Sequence, residues 1–104
     1  MSFIYELEQI IHNRLANPTT DSYTTRLRKR GTPKICQKVG EEAVEVIVAA
    51  LGQGRSELVA ESADLIYHWL VLLADQGISL LDIEAELKSR HGKMSQSHEP
   101  VSEE

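Results

Sequence analysis

The chain has 104 residues, 41% of them hydrophobic and only 5% aromatic, and carries a formal charge of −5. That length fits one domain, which buries roughly 60–70% of the surface its unfolded chain exposes. The single cysteine, Cys36, excludes an intrachain disulfide and fits a reducing compartment. It falls where a core thiol would sit on a helix, so cysteine catalysis finds no support. The longest apolar stretch, Trp69 to Ala74, is far too short to cross a bilayer. The start, Met1 to Glu6, lacks both the positive region and the apolar run of a signal peptide. A cytoplasmic protein without a membrane partner is expected.

Ser2 can cap a first helix running to about Leu15, with Phe3, Leu7, Ile10 and Ile11 on one stripe. Asn17-Pro18 stops it, and residues 17–22 form a polar loop. Ser22-Tyr23-Thr24 opens a short helix, Thr24 to Arg30, closed by Gly31. Thr32 then caps the next helix, with Pro33 at its first position. That helix carries Ile35, Val39, Ala43, Val46 and Ile47 and ends at Gly52-Gln53-Gly54. Ser56 starts the longest helix, which runs to about Gln76 and stops at Gly77. From Leu65 to Leu73 it is apolar nearly all round, broken only by His68, so part of it needs a partner subunit. Ser79 and Asp82 resemble a capping box for a last helix to about Arg90, ended by Gly92. Residues 1–92 thus make an all-α domain, and residues 93–104 read as a disordered polar tail.

Charge is segregated along this frame. Residues 26–38 hold six bases (Arg26, Arg28, Lys29, Arg30, Lys34, Lys38) and no acid. Residues 41–64 hold six acids and one base, Arg55. Among the acids, Glu42 and Glu45 share a helix face at i, i+3, with Glu41 and Lys38 beside them, and Glu61 and Asp64 repeat that spacing. Such pairs are common on solvated faces. Here both interrupt apolar runs, so the carboxylates point inward or into a cleft, where a cation is the cheapest resolution. Oxygen-only ligands select a hard ion, Mg²⁺ or Mn²⁺. A basic segment beside an acidic one is what a metal–phosphate site requires.

The runs Ser22-Tyr23-Thr24, Lys38-Val39-Gly40-Glu41-Glu42-Ala43-Val44-Glu45 and Glu61-Ser62-Ala63-Asp64-Leu65-Ile66-Tyr67-His68 resemble the phosphoribosyl-ATP pyrophosphatase family of histidine biosynthesis. The similarity covers about residues 3–91. The acidic pattern alone is similar to the wider all-α nucleoside-triphosphate pyrophosphatase (MazG-like) superfamily, and the Ser-Tyr-Thr and Ala-Asp-Leu-Ile-Tyr-His runs narrow it. The resemblance implies a helical bundle completed by homodimerisation. It also implies Mg²⁺-dependent cleavage of the α–β bond of phosphoribosyl-ATP, giving phosphoribosyl-AMP and pyrophosphate. Carried onto this chain, the metal ligands fall on Glu42, Glu45, Glu61 and Asp64; Ser22 and Tyr23 are expected to contact substrate.

Charge and geometry suggest further roles. Lys38, Lys34 and Arg26 are candidate phosphate contacts, because phosphoryl transfer to water needs fixed cations. Glu41 can orient the water, position Lys38 or act as another ligand. His68 lies on the face of Glu61 and Asp64 but suits a hard ion poorly. It reads as a contact behind the ligands, a contact to substrate or a satisfied core histidine. A house-cleaning pyrophosphatase for another nucleoside triphosphate shares the acidic pattern, and a silent helical dimerisation module would leave the acids as mere surface. Nucleic acid is not the expected partner: the net charge is negative and no aromatic interrupts Arg26 to Arg30.

Overall fold

A computed structural model of the chain describes residues 2–97, with side chains to Gly92. Five helices follow in order: α1 (Phe3–Ala16), α2 (Tyr23–Arg30), α3 (Thr32–Gly52), α4 (Arg55–Asp75) and α5 (Leu80–Ser97). Among the described residues there is no strand, as the sequence pattern implies.

Local chemistry sets most of the boundaries. Ser2 Oγ accepts the N–H of Ile4 and Ser22 Oγ that of Thr25, each taking up an orphan donor of a helix start. Two junctions are made by glycine instead of a capping hydroxyl. Gly31 (φ 95°, ψ 167°) ends α2 and begins α3, and Gly54 (φ 89°, ψ 176°) begins α4. Both conformations belong to a region that only glycine occupies without strain. Thr32, expected as the cap of α3, lies inside it and donates its hydroxyl to Asp75 at the far end of α4, at 2.7 Å. Ser56, expected to start α4, follows its first residue, Arg55. At the other end, Gly77 N–H bonds to Ala74 O and Ile78 N–H to Leu73 O, the paired bonds of a Schellman stop. Ser79 and Asp82 do form the reciprocal box.

The core is a cluster of Ile11, Leu27, Ile35, Leu70, Val71 and Leu80, one or two from each helix, with Ile4, Leu7 and Leu15 packed against it. The buried stripe of α1 is therefore Ile4, Leu7, Ile11 and Leu15. Phe3 and Ile10, assigned to it from the sequence, are exposed because they sit about 100° off that line. Ile47 likewise turns outward, while Ile35 is buried and Val39, Ala43 and Val46 are half-buried. Cys36, the residue after Ile35, is exposed and not a core thiol.

Two further expectations change. The apolar stretch of α4 is largely covered within the chain: His68, Leu70, Val71 and Leu73 are buried, and Leu65, Ile66, Tyr67, Trp69 and Leu72 are half-buried. Among the exposed apolar side chains, Val44, Ile47, Val48 and Leu51 recur along the second half of α3, with Val59 near the start of α4. In addition, α5 does not end near Arg90 but continues through Gly92 to Ser97. A mid-helix glycine costs about 1 kcal/mol relative to alanine and stops a helix only when something else does. Residues 98–104 of the expected tail lie outside the described residues.

Two polar bonds fasten α5 to the bundle. The carboxylate of Glu8, buried on α1, accepts the N–H of Leu80 at 2.8 Å, and Tyr5 donates its hydroxyl to Glu84 at 2.8 Å. Replacing Glu8 by alanine leaves a buried N–H unpaired, a loss of about 1–3 kcal/mol. Glu8→Ala is therefore expected to lower the melting temperature by about 4–8 °C per kcal/mol lost. Thermal denaturation beside the exposed control Gln9→Ala checks this, and equal melting of the two would show that the cap is idle.

Candidate metal and phosphate site

Because only Gln53 and Gly54 separate α3 from α4, the two helices fold back on each other and pair along their length. This sets the acidic turns side by side. Carboxylate oxygens of Glu42 on α3 and of Glu61 and Asp64 on α4 all lie within 4.8 Å of one another. The side chain of Glu42 is only 13% exposed. Burial and the charges of Glu45, Asp64 and Glu42 push the Glu61 carboxyl above its usual range. Three acids held this way repel each other, and among the described residues only Lys38, 3.7 Å from Glu42, pairs with any of them. Oxygens sharing one Mg²⁺ at 2.0–2.1 Å lie at most about 4.2 Å apart, so a small rotation of any of the three side chains closes the set. The residues fit a hard divalent ion.

Glu45 and Glu41 are placed differently. Glu45 is exposed and outside the trio, yet its charge is the first among those acting on Glu61. Glu41 faces away toward Gln37 Nε2 at 2.7 Å and Lys38 Nζ at 3.4 Å. These two partners hold its carboxyl below the usual range. Lys38 also reaches Glu42, at 3.7 Å. Partial desolvation pulls the Lys38 ammonium down, but its bond to Glu41 and the charges of Tyr23, Glu41 and Glu42 outweigh this, and it is raised overall. Of the roles open to Glu41, the geometry matches positioning of Lys38.

His68 is buried, with both ring nitrogens engaged. Nδ1 lies 2.8 Å from the carbonyl oxygen of Asp64, which can only accept, so Nδ1 carries the proton. In that tautomer Nε2 accepts, and the Tyr23 hydroxyl, 2.8 Å away, is its donor. The Tyr23 and Tyr67 rings stand edge-on to the imidazole at 5.6 Å, and Tyr67 is itself bonded to the buried hydroxyl of Thr24. Burial pushes the Tyr23 phenol up; Lys38 opposes this and Glu42 adds to it, so the phenol stays a donor. The unit Tyr23–His68–Asp64 thus ties α2 to the acidic turn of α4, with His68 behind the acids.

A cleft of about 370 Å³ opens beside this unit, lined by Tyr23, Leu27 and four cations: Arg26 and Arg30 of α2, Lys34 and Lys38 of α3. The break at Gly31 keeps the i, i+4 spacing in line across two helices, giving a ladder that ends at Glu42. Arg30 is a site residue that sequence reasoning left aside, although it stands four residues from both Arg26 and Lys34. Ser22, expected near substrate, has its oxygen committed to capping α2 and lines a smaller groove with Tyr23. Within one small volume the site can therefore neutralise a polyphosphate from one side and hold a divalent ion on the other.

The profile of the phosphoribosyl-ATP pyrophosphohydrolase family matches residues 4–91. The histidine biosynthesis bifunctional protein HisIE of Photobacterium profundum is 54% identical over 91 residues, which cover 88% of this chain and 44% of that protein. The phosphoribosyl-ATP pyrophosphatase of Lactiplantibacillus plantarum is 50% identical over 95 residues, covering 91% of this chain and 90% of its own length. That of Metallosphaera sedula is 54% identical over 85 residues, covering 82% and 91%. The chain spans less than half the length of the bifunctional relative and nearly the whole of those named phosphoribosyl-ATP pyrophosphatase.

Crowding among the acids gives a direct expectation for the metal-free protein. Glu61→Gln keeps the shape of the side chain and removes one of three mutually repelling charges. In excess chelator this variant is expected to melt above wild type. Calorimetry on the two proteins decides it, and a lower melting temperature for Glu61→Gln would mean that the carboxylate is already compensated.

Proposed function

Because this chain belongs to the phosphoribosyl-ATP pyrophosphohydrolase family, we propose that it hydrolyses the α–β phosphoanhydride of phosphoribosyl-ATP to phosphoribosyl-AMP and pyrophosphate. This is the second step of histidine biosynthesis. The observation that carries the reading is the trio Glu42, Glu61 and Asp64 joined through Lys38, 3.7 Å from Glu42, to a cleft lined by four cations. Relatives of nearly the same length are named phosphoribosyl-ATP pyrophosphatase, which supports the substrate. The trio would hold Mg²⁺, or Mn²⁺ in its place, and Glu45, one turn along α3 from Glu42, would swing in to complete the set. When bound, such an ion neutralises phosphate charge and acidifies water.

This chain's own residues supply the rest. Arg26, Arg30, Lys34 and Lys38 line up along the triphosphate and stabilise charge that builds on the leaving pyrophosphate. Glu41 keeps Lys38 extended toward the cleft. Tyr23, fixed by His68, closes the end of the cleft nearest Asp64. The acids of α3 and α4 offer the proton acceptor for the attacking water, at the side of the phosphate away from the cations.

The active form is a homodimer. Val44, Ile47, Val48 and Leu51 recur at i, i+3, i+4 and i+7 on α3, and Leu51 is 84% exposed. With Val59 of α4 they form a continuous apolar strip on the hairpin that carries the acids. A two-fold axis buries that strip against its own copy.

Two experiments test these assignments. Pyrophosphate release from phosphoribosyl-ATP should require added Mg²⁺ and vanish in chelator. Glu42→Gln and Asp64→Asn should stay folded by circular dichroism and lose far more than tenfold in turnover; retention of a tenth or more, a loss below about 1.4 kcal/mol, would remove these residues from the ligand set. For assembly, Ile47→Glu is expected to sediment as a monomer at low micromolar concentration and to lose activity with it. A fully active monomer would contradict the dimer.

A further inference from the structure

A second basic cavity, of about 490 Å³, lies on the other side of α2 and is not part of the site described above. Its walls are Arg14 at the end of α1, Thr19 and Thr20 of the connecting loop, and Thr25, Arg26 and Lys29 of α2. The volume is within the range of about 300–1,000 Å³ usual for small-molecule sites. Among the described residues no carboxylate lines it, and Arg14, Arg26 and Lys29 make no ion pair. Arg28, also on its wall, is paired with Asp75 at 3.3 Å, and Asp21 shares only the neighbouring groove with Arg14. Uncompensated positive charge in a chain of net charge −5 marks a place for an anion.

The loop wall is tied down. Thr19 N–H bonds to Thr25 Oγ1 at 3.3 Å, Ser22 N–H to Thr19 O at 3.3 Å, and Asn17 to Asn13 Oδ1 at 2.8 Å. The cavity adjoins the first site. Arg26 lines both cavities, and its guanidinium carbon lies 5.9 Å from the centre of the Tyr23 ring, which faces the cation cleft. A ligand that crosses the Tyr23–Arg26 ridge therefore meets cations at both ends and a planar surface between them.

Phosphoribosyl-ATP has this shape. Its triphosphate hangs from one ribose, and a second ribose 5-phosphate is attached at the opposite edge of the purine. We propose that the cavity bounded by Arg14, Thr20 and Lys29 binds the phosphate of the second ribosyl arm, with the purine against the Tyr23 ring. This rests on the proposed function and goes beyond it by naming what separates phosphoribosyl-ATP from a plain nucleoside triphosphate. ATP fills the metal side and leaves this cavity empty. Arg14 and Lys29 are then specificity residues remote from the reacting bond, and their contacts are the same before and during the reaction.

Steady-state pyrophosphate release by the full chain with Mg²⁺ tests the assignment. Arg14→Gln and Lys29→Gln, both at exposed positions, should each raise KM for phosphoribosyl-ATP about tenfold while kcat stays within about twofold, the mark of uniform binding. Arg14→Lys should recover part of the loss. In a second arm, calorimetry with ribose 5-phosphate should show saturable binding to wild type that weakens about tenfold in Arg14→Gln, whereas ribose without the phosphate should not bind. Unchanged KM in both glutamine variants, or equal ribose 5-phosphate binding by wild type and Arg14→Gln, would overturn the assignment. Failure of wild type to turn over phosphoribosyl-ATP would instead strike the proposed function, and the calorimetric arm would still decide whether the cavity takes a sugar phosphate.

Discussion

Mutual repulsion among Glu42, Glu61 and Asp64 is the constraint on which the rest of this structure depends. Three carboxylates whose oxygens approach within 4.8 Å are unfavourable in a folded chain unless a cation joins them. Their placement is not an accident of a flexible surface. It is imposed by the α3–α4 hairpin, whose tight turn at Gly54 brings the two acidic turns level. A bundle that sought only stability would not put them there, and the raised carboxyl of Glu61 shows the direction of the cost.

Around that centre the chain divides its labour by helix. Leu70, Val71 and Leu73 of α4 anchor it in the core, so the face carrying Glu61 and Asp64 cannot rotate without breaking packing. The Tyr23–His68–Asp64 unit then fixes α2 against that face, and with it Arg26 and Arg30. Thr32 and Arg28 bind Asp75 from α3 and α2, closing the opposite end of the bundle. The cation cleft and the acidic turns thus meet at Lys38 and Glu42, on helices that are separately braced. Such bracing lets a site act on a charged substrate with little reorganisation.

Much of this was legible in the sequence because it rests on local rules. Five helices, the Ser2 and Ser22 caps, the Gly77 stop and the Ser79–Asp82 box follow from neighbours within four residues. The pairing of Glu42 with Glu61 and Asp64 follows from repeated i, i+3 spacing in two helices joined by a glycine turn. What escaped depends on the angular position of a residue in the assembled bundle. Periodicity alone does not separate Ile47 from Val46, or Ile10 from Ile11, since each pair differs by one step around the helix. Thr32 read as a cap because its long-range partner, Asp75, lies 43 residues away. Arg30 was passed over because its alignment with Lys34 requires the bend at Gly31. The apolar run of α4 suggested an uncovered helix, yet Ile11, Leu27, Ile35 and Leu80 bury it, and the unpartnered strip falls on α3.

The central claim, that one divalent ion joins α3 to α4 through these acids, is tested most directly by electron paramagnetic resonance of Mn²⁺ titrated into the chelator-treated protein. The account predicts saturable loss of the free Mn²⁺ signal in wild type, with that binding abolished by Glu42→Ala on one helix and equally by Asp64→Ala on the other. Saturable binding of the same strength in both variants would contradict it.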